Sequence, residues 1–155
     1  MTKLNYKIIC LVLLFAWLSV CHAEKIACYF DIQNIEQENA HKNQLMKIIQ
    51  YVENGIINNN VDFFSAYLAK RVDLNLRENV TGLFSNNQAY YILKNYFYNH
   101  RLSNFSFTKI SLENGMPYAT GGGSSVIKGK RVVYQVYISL SFQENKWVIS
   151  QFNVY

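Results

Sequence analysis

The sequence has no hydrophobic run long enough to form a transmembrane helix. Its N-terminal apolar run extends from Ile8 to Val20, which is shorter than the roughly 20 apolar residues that a membrane-spanning helix needs. Lys3 and Lys7 precede this run, and the small-residue segment Cys21-His22-Ala23 follows it. This order is typical of a secretory signal peptide. We therefore expect cleavage after Ala23, export to the periplasm or the medium, and no transmembrane helix in the mature chain.

Cysteine and histidine are also scarce, with three of each in the whole chain. Two of the cysteines lie in the expected signal peptide, so Cys28 remains alone and the mature chain forms no internal disulfide. The segment Leu18-Ser19-Val20-Cys21 is similar to a lipobox, which makes a lipid anchor on Cys21 the alternative to simple cleavage. His41 and His100 stand apart from each other and from any cysteine. Metal-binding motifs need such residues in groups, so we expect neither a metal site nor a cofactor.

Two further patterns are missing. The net charge of +5 comes from scattered residues, with no basic stripe of the kind that binds nucleic acid. The run from Gly121 to Gly123 has no helix directly after it, as a phosphate-binding loop requires. We interpret these glycines as a bend within a strand.

The most regular pattern in the chain is a C-terminal hairpin. Two runs, Val132–Phe142 and Trp147–Tyr155, are rich in β-branched and aromatic residues, and a polar segment containing Asn145 separates them. This arrangement predicts two long antiparallel strands. One alternate set in the first run is almost wholly apolar and the other is mixed, which indicates a sheet with one buried face. The apolar set is Val132, Tyr134, Val136, Ile138, Leu140 and Phe142.

Three helices are predicted upstream of the last four strands. The first ends at Asn54-Gly55, because Gly after a helix cap takes positive φ at little cost. The second runs from Val61 to about Ala69 with Asn60 as its N-cap, and the third follows the capping box Ser85–Gln88. Their apolar residues at helical spacing are Leu45, Ile48, Ile49 and Val52 in the first helix; Phe64, Tyr67 and Leu68 in the second; and Ala89, Ile92, Leu93, Tyr96 and Phe97 in the third.

The remaining segments read as strands and turns. Val72–Leu76 alternates as a strand, Arg77–Gly82 is a turn, Phe105–Leu112 is a strand with a β-bulge near Thr108-Lys109, and a further strand runs from Met116 to about Gly123. Helices first and antiparallel hairpins last predict an α+β fold, with helices packed on one face of a curved, mainly antiparallel sheet. We expect a flexible lead-in over residues 24–40 and a single domain over residues 41–155.

This order resembles the cystatin-like, nuclear-transport-factor-two-like cone fold, and more narrowly an uncharacterised family of exported bacterial proteins with that fold. The resemblance rests on Val72-Asp73-Leu74, the capped helix Ser85–Leu93, the strand Arg131–Val136 and the ending Lys146–Phe152. These are packing residues, so the resemblance implies fold and export and says little about activity. Relatives with this fold include steroid isomerases, dehydratases, lyases, subunit-assembly modules and plain ligand binders, and the fold does not choose among them.

No catalytic residue is predicted. Enzymes of this fold use a carboxylate, or a His paired with one, inside the cone. Asp62 lies at a predicted helix start, Asp73 has outward parity in its strand, and His100 follows a helix end. A general base must lie within hydrogen-bond reach of its substrate, and no ionisable side chain has a predicted inward position.

Neutral side chains are the candidates for ligand binding and for self-association. Tyr67, Tyr118, Tyr134 and Ser150 are predicted to line the cone, either as core residues whose hydroxyls find partners at its rim or as the lining of an apolar ligand pocket. The opposite face is predicted to present an apolar patch that marks an interface. Its residues are Val133, Tyr137, Trp147, Ile149 and Tyr155.

From these features we expect an exported, non-catalytic module that binds a small apolar ligand or a partner protein, with homodimer formation through the outer sheet face. A pocket enzyme of the isomerase, dehydratase or lyase type is one alternative, and it rests on fold analogy and the tyrosines. A purely structural protein of the cell envelope is the other.

Overall fold

The computed structural model describes residues 34–155 except 78, 113–114 and 128. The expected signal peptide and Cys28 therefore lie outside the described residues. The chain divides into two compact units, Met1–His41 and Lys42–Tyr155. In the first unit, the described residues 34–41 are helical, so helix occupies part of the segment assigned to a lead-in. The second unit contains the sheet and the core, and the description below concerns it.

In the second unit, helix α1 is described over residues 42–57, so it continues past the predicted stop at Asn54-Gly55. The helix ends in a Schellman motif at Asn59 and Asn60. Asn59 takes a positive φ of 51°, its N–H donates to Ile56 O at 3.2 Å, and the N–H of Asn60 donates to Gly55 O at 2.8 Å. This pairing satisfies the last carbonyls of the helix. The buried stripe of α1 is Leu45, Ile48, Ile49, Val52 and Ile56.

The second predicted helix is not an α-helix. Val61–Phe63 and Ser65–Tyr67 form two separate turns of 3-10 helix, and strand begins at Leu68. Asn60 does act as the predicted N-cap, since its side chain accepts from the N–H of Asp62 at 3.0 Å. The helix cannot continue because the chain from Leu68 onward pairs with the last strand of the sheet. The described residues therefore contain two α-helices rather than three.

The elements after α1 are β1 Leu68–Leu76, β2 Val80–Ser85, α2 Asn86–Asn99, β3 Ser103–Ser111, β4 Tyr118–Ile127, β5 Lys130–Gln143 and β6 Lys146–Val154. The six strands form one sheet in the order β2-β1-β6-β5-β4-β3. All neighbouring strands are antiparallel except β1 and β6, which are parallel, so the mainly antiparallel sheet is confirmed. Strand β2 lies partly in the segment predicted as a turn. Glu144 and Asn145 join β5 to β6 with positive φ at both residues, which is the two-residue hairpin turn that matches strand twist.

Helix α2 begins as predicted. The Ser85 side chain accepts from the N–H of Gln88, and the Gln88 side chain accepts from the N–H of Ser85, which completes the capping box. The predicted inner face is also confirmed, with Ala89, Leu93, Tyr96 and Phe97 buried. The N-terminus of α2 is thus satisfied by its own first turn.

The predicted bulge in β3 is present, since the pairing with β4 shifts between Phe107 and Lys109. The N–H of Phe107 donates to the Glu53 carboxylate of α1 at 2.8 Å, so a helix side chain satisfies a backbone group beside the bulge. Across the bulge, a Cβ added to Gly121 would lie 2.1 Å from the carbonyl oxygen of Ser106. Gly121 therefore allows close approach of two backbones rather than phosphate binding, as the strand interpretation predicted.

Candidate functional site

The face of the sheet that packs against the helices is filled by aromatic side chains. Phe152 of β6 stacks on Phe64 at 5.8 Å between ring centroids and meets Phe97 of α2 edge-on at 6.0 Å. All three rings are fully buried. Such close packing is typical of a protein core, so the inner face does not support the expected pocket for an apolar ligand at this point.

The four predicted ligand-binding residues do not converge. Tyr134 is on the inner face and is 2% exposed. Tyr118 lies on the opposite face, because its register partner in β5 is Ser139 rather than an inward residue. Ser150 is half-buried and its hydroxyl donates to Ser139 O at 3.3 Å. Tyr67 stacks on Tyr51 of α1 at 5.6 Å.

A bulge in β6 corrects the predicted face of two interface residues. On β5, Ser139 pairs with Gln151 of β6, and the next residue, Leu140, pairs with Ile149. Ser150 therefore has no partner on β5 and is an extra residue in β6. One extra residue moves every preceding side chain to the other face of the strand. Ile149 is therefore 0% exposed and belongs to the core, instead of lying on the outer face as predicted.

Trp147 is displaced by the same bulge. It is half-buried and packs against the core. It also lines a groove of about 280 Å³ with Lys47 of α1 and with Tyr67. The prediction that Trp147 lies on the face without helices is therefore wrong, because strict alternation was assumed through Ser150.

The face without helices, here called the outer sheet face, keeps the other three predicted interface residues. Val133 is 68% exposed and Tyr155 is 53% exposed, while Tyr137 is half-buried and stacks on Tyr118 at 5.9 Å. Directly paired residues of neighbouring strands project on the same face, so the register defines the whole surface. Its members include Asp73, Asn75, Thr81, Leu83, Ser106, Lys109, Ser111, Tyr118, Thr120, Gly122, Ser124, Val126, Arg131, Val133, Gln135, Tyr137, Ser139, Gln151, Asn153 and Tyr155.

Asn153 is the most enclosed polar side chain in the middle of this face. Its amide Nδ2 donates to the Tyr155 hydroxyl at 3.1 Å, whereas its Oδ1 has no hydrogen-bond partner within the described residues. A buried acceptor without a partner costs about 1–3 kcal/mol. The neighbouring strand supplies a separate pair, in which Thr81 donates to the Asn75 side chain at 3.3 Å.

A second concave feature lies where β1 ends and α2 ends, and we call it the Arg77 cleft. It has a volume of about 180 Å³ and is lined by Leu76, Arg77, Val80, Ile92, Asn95, Tyr96, Asn99 and His100. Its lining combines two basic side chains and two amides with apolar groups. Sites for small molecules typically combine an apolar wall with a few placed polar groups.

Arg77 is held in place by groups from two strands. Its backbone N–H donates to Val154 O at 3.0 Å, its Nη1 donates to Val133 O at 3.2 Å, and its Cζ lies 5.2 Å from the centroid of the Tyr134 ring. Because the Arg77 side chain is exposed, this cation–π contact contributes about 0.5–1 kcal/mol. Among the described residues, Arg77 makes no ion pair with a carboxylate.

His100 is the buried ionisable group that the sequence did not predict. It is 8% exposed, its ring stacks on Tyr96 at 4.5 Å, and it meets Tyr134 at 6.1 Å. Its Nδ1 lies 3.0 Å from Tyr96 O, and because a carbonyl only accepts, Nδ1 carries the hydrogen. The prediction that no ionisable side chain points inward is therefore wrong for His100. Its position directly after a strongly amphipathic helix was the available signal.

The charges around the Arg77 cleft favour an anion. No carboxylate is found among the described residues that line it. The C-terminal end of α2 opposes an anion by about 0.3–1 kcal/mol, as expected for a helix dipole. A hydrogen bond from a guanidinium to an anion contributes about 1.5–3 kcal/mol, so Arg77 outweighs the helix end.

The two shifted pKa values belong to surface pairs away from the Arg77 cleft. The ammonium group of Lys70 donates to the Glu144 carboxylate, and this hydrogen bond lowers the pKa of Glu144 below its ordinary value. The Tyr90 hydroxyl accepts from Lys94 and raises the pKa of that amine. Both pairs are solvent-exposed, so salt screens them. In the described part of the chain, no three His, Cys, Asp or Glu side chains come together as metal ligands, and no helix is long and apolar enough to cross a membrane.

Comparison with known proteins identifies relatives. The family model of a domain of unknown function (DUF4783) matches residues 49–154, more than half of the 155-residue chain. The solved structure of a DUF4783 family protein from Bacteroides uniformis ATCC 8492 is 19% identical with a TM-score of 0.60, and the match covers 68% of this chain and 93% of that chain. A DUF4783 family protein from Bacteroides fragilis YCH46 is 16% identical with a TM-score of 0.55, over 66% of this chain and 92% of that chain.

A more distant structure has the same fold. An NTF2-like protein of unknown function from Shewanella baltica OS155 is 12% identical with a TM-score of 0.52, over 74% of this chain and 91% of that chain. At such identities the likeness shows the fold alone, and the expected α+β fold of the nuclear-transport-factor-two-like type is confirmed. No match is found among the curated proteins.

Proposed function

This chain belongs to the family of the domain of unknown function DUF4783, and from that premise we propose that it is a non-catalytic binding module that pairs with a second copy of itself through the outer sheet face. Export is part of the proposal, because the first 23 residues have the charged, apolar and small-residue order of a signal peptide. The observation that carries the proposal is the set of exposed apolar side chains on the face of the sheet without helices.

These side chains surround a neutral centre. Leu83, Val126, Val133 and Tyr155 are each more than half exposed. Between them lie the stacked rings of Tyr118 and Tyr137 and several uncharged amides and hydroxyls. Depletion of charge at the centre, with tyrosine present, is the composition found in protein interfaces. The neutral centre therefore brings no like charges together when two copies approach, and Arg131 lies beside it at the end of β5.

The size of the face fits a dimer. Six strands at about 4.8 Å spacing span roughly 24 Å, and a nine-residue strand is about 30 Å long. The flat projection is therefore about 700 Å², close to the ~800 Å² per partner of a standard interface. The sheet has six strands, and β1 and β6 each contain nine residues.

The charges at the edges suit a two-fold pairing. Asp73 lies on β1, and Lys109 lies on β3 at the opposite side of the sheet. An isologous interface brings the same patch from both copies together. With a two-fold axis along the strands between β5 and β6, the acidic side of one copy faces the basic side of the other.

Light scattering coupled to size-exclusion chromatography tests the proposal on the purified protein. We expect a dimer at tens of micromolar, and we expect Val133→Glu to shift it toward monomer by at least about tenfold in the dissociation constant, because the change places two carboxylates in an apolar contact. Tyr98→Glu is the matched control, because Tyr98 is 71% exposed but lies on α2. A monomeric wild-type protein, or equal effects of the two substitutions, would contradict the proposal.

A pocket enzyme is the second candidate function, favoured by the burial of His100 in the Arg77 cleft. A general base contributes ~10²–10⁴-fold to a rate. If His100 has that role, isomerase, dehydratase or lyase activity found in a substrate screen falls by that factor in His100→Gln. Retention of the activity in this variant would exclude His100 as the base.

A further inference from the structure

We propose that the Arg77 cleft binds a small carboxylate with a short apolar body. The inference does not rest on the outer sheet face: Arg77 donates to the backbone oxygen of Val133, but the side chains that line the cleft belong to a different set. It assigns the ligand chemistry from the donors, the walls and the charges of the cleft.

The carboxylate is recognised by Arg77. One Nη1–H donates to Val133 O, and the guanidinium carbon lies 5.2 Å from the centroid of the Tyr134 ring, so two contacts restrict the position of the guanidinium. A guanidinium carries five N–H donors, so several remain for a ligand. Because a planar fork matches the two oxygens of a carboxylate, an oriented guanidinium selects this group over a neutral one.

An amide of α2 adds a second donor on the facing wall. Asn99 donates to the Asn95 side-chain oxygen at 3.4 Å and to the Asn95 backbone oxygen at 3.0 Å. The Asn95 oxygen is thereby engaged, which leaves its amide nitrogen as the donor toward the cleft. Both Asn95 and Arg77 line the same space.

The apolar body of the ligand is selected by the remaining walls. Leu76 is buried, and Val80 and Ile92 are half-buried and pack against the core. Their side chains line the cleft beside the guanidinium. A free inorganic anion would gain nothing from these walls, whereas an alkyl chain next to the carboxylate removes apolar surface from water.

The probe is hexanoate, titrated into the ¹⁵N-labelled protein and followed by NMR. We expect saturable shifts of the Arg77 side-chain Nε–H and of backbone amides from Leu76, Ile92 and His100. Hexan-1-ol has the same chain without the charge, and inorganic phosphate has charge without the chain. Both are expected to bind at least about tenfold more weakly than hexanoate.

Variants distinguish binding by the Arg77 side chain from attraction by the positive net charge of the protein. Arg77→Gln is expected to weaken hexanoate at least about tenfold, with Arg77→Lys intermediate because a point charge replaces the fork. Arg101→Gln removes the same charge from an exposed residue that does not line the cleft, and we expect less than a twofold effect. The NMR shift of the Arg77 Nε–H is measured in the wild-type protein, so it tests the site even if a variant fails to fold.

Three outcomes would overturn the proposal. The first is hexanoate shifts confined to other parts of the protein. The second is equal binding of hexan-1-ol or of phosphate, and the third is an unchanged dissociation constant in a folded Arg77→Gln. Failure here leaves the outer-face proposal intact, since light scattering and this titration report on different groups.

Discussion

At the scale of single residues, the sequence predicted that Gly55 would end α1, whereas Asn59 ends the helix and Gly55 is needed for packing. Asn59 takes the left-handed conformation that ends α1. Gly55 remains helical and buried, and a Cβ at this position would lie 2.6 Å from the Phe64 ring and 2.9 Å from Asn60 O. The glycine is therefore required by packing, and the asparagine by backbone conformation.

Gly55→Ala is expected to destabilise the protein despite the better helix propensity of alanine. The propensity gain is about 1 kcal/mol, whereas overpacking a rigid core costs about 1–3 kcal/mol. Because Phe64 is fully buried, we expect overpacking to exceed the propensity gain and the free energy of unfolding to fall by up to about 2 kcal/mol. Urea denaturation measures the change.

A double-mutant cycle identifies the contact responsible. In a Phe64→Leu background the ring is absent, so Gly55→Ala should cost less than it does in the wild-type protein. A stabilised Gly55→Ala, or equal costs in the two backgrounds, would show that Phe64 does not crowd this position.

At the scale of elements, one extra residue in β6 decides which side chains face the helices. Among the residues that precede Ser150 in β6, Ile149 lies in the core and Trp147 packs at the border of the core. The aromatic pair of Trp147 and Phe142, 5.2 Å apart, therefore belongs to the end of the β5–β6 hairpin nearest α1 and not to the outer sheet face.

Trp147→Glu should consequently affect stability rather than association. A half-buried ring is replaced by a charge, and we expect the free energy of unfolding to fall by about 1–3 kcal/mol. Association also adds to apparent stability, so the measurement is made in the Val133→Glu background, where the protein is expected to be monomeric.

Val133→Glu provides the crossed control for this prediction. At a position that is 68% exposed, this substitution should change the stability of the monomer by less than about 0.5 kcal/mol while weakening association. If Trp147→Glu dissociates the dimer without loss of stability, the placement of Trp147 on the helix side is wrong.

The elements that the sequence predicted are those with a local cause. The capping box of α2 and the hairpin of β5 and β6 depend on residues within a few positions of one another, and both are confirmed. The bulge in β3 also left a local sign, a change of apolar parity. The bulge at Ser150 left none, because both faces of β6 carry large side chains.

Pairing between distant segments explains what was missed. The segment from Val61 could form a helix by composition, but Leu68 and its successors pair with β6, and tertiary pairing overrides local propensity. Strand β2 was missed for the same reason, since Val80–Ser85 is short and is defined by its pairing with β1.

At the scale of the whole molecule, the Arg77 cleft could not be predicted from the spacing of residues in the sequence. Arg77 follows β1, Tyr134 is in β5 and His100 follows α2, so the three side chains meet only through the fold. The outer sheet face was partly predictable, because Val133, Tyr137 and Tyr155 keep their parity. Fold and family follow from packing residues, whereas the sites depend on contacts between segments far apart in sequence.

The parallel pairing of β1 with β6 has a consequence for biosynthesis. Leu74 on β1 lies beside Phe152 on β6, so β1 can complete its pairing only after the much later segment β6 has been translated. Until then β1 keeps an unpaired edge, which is the state that chaperones recognise and that favours aggregation. Formation of the complete sheet is thus expected to wait for the synthesis of β6.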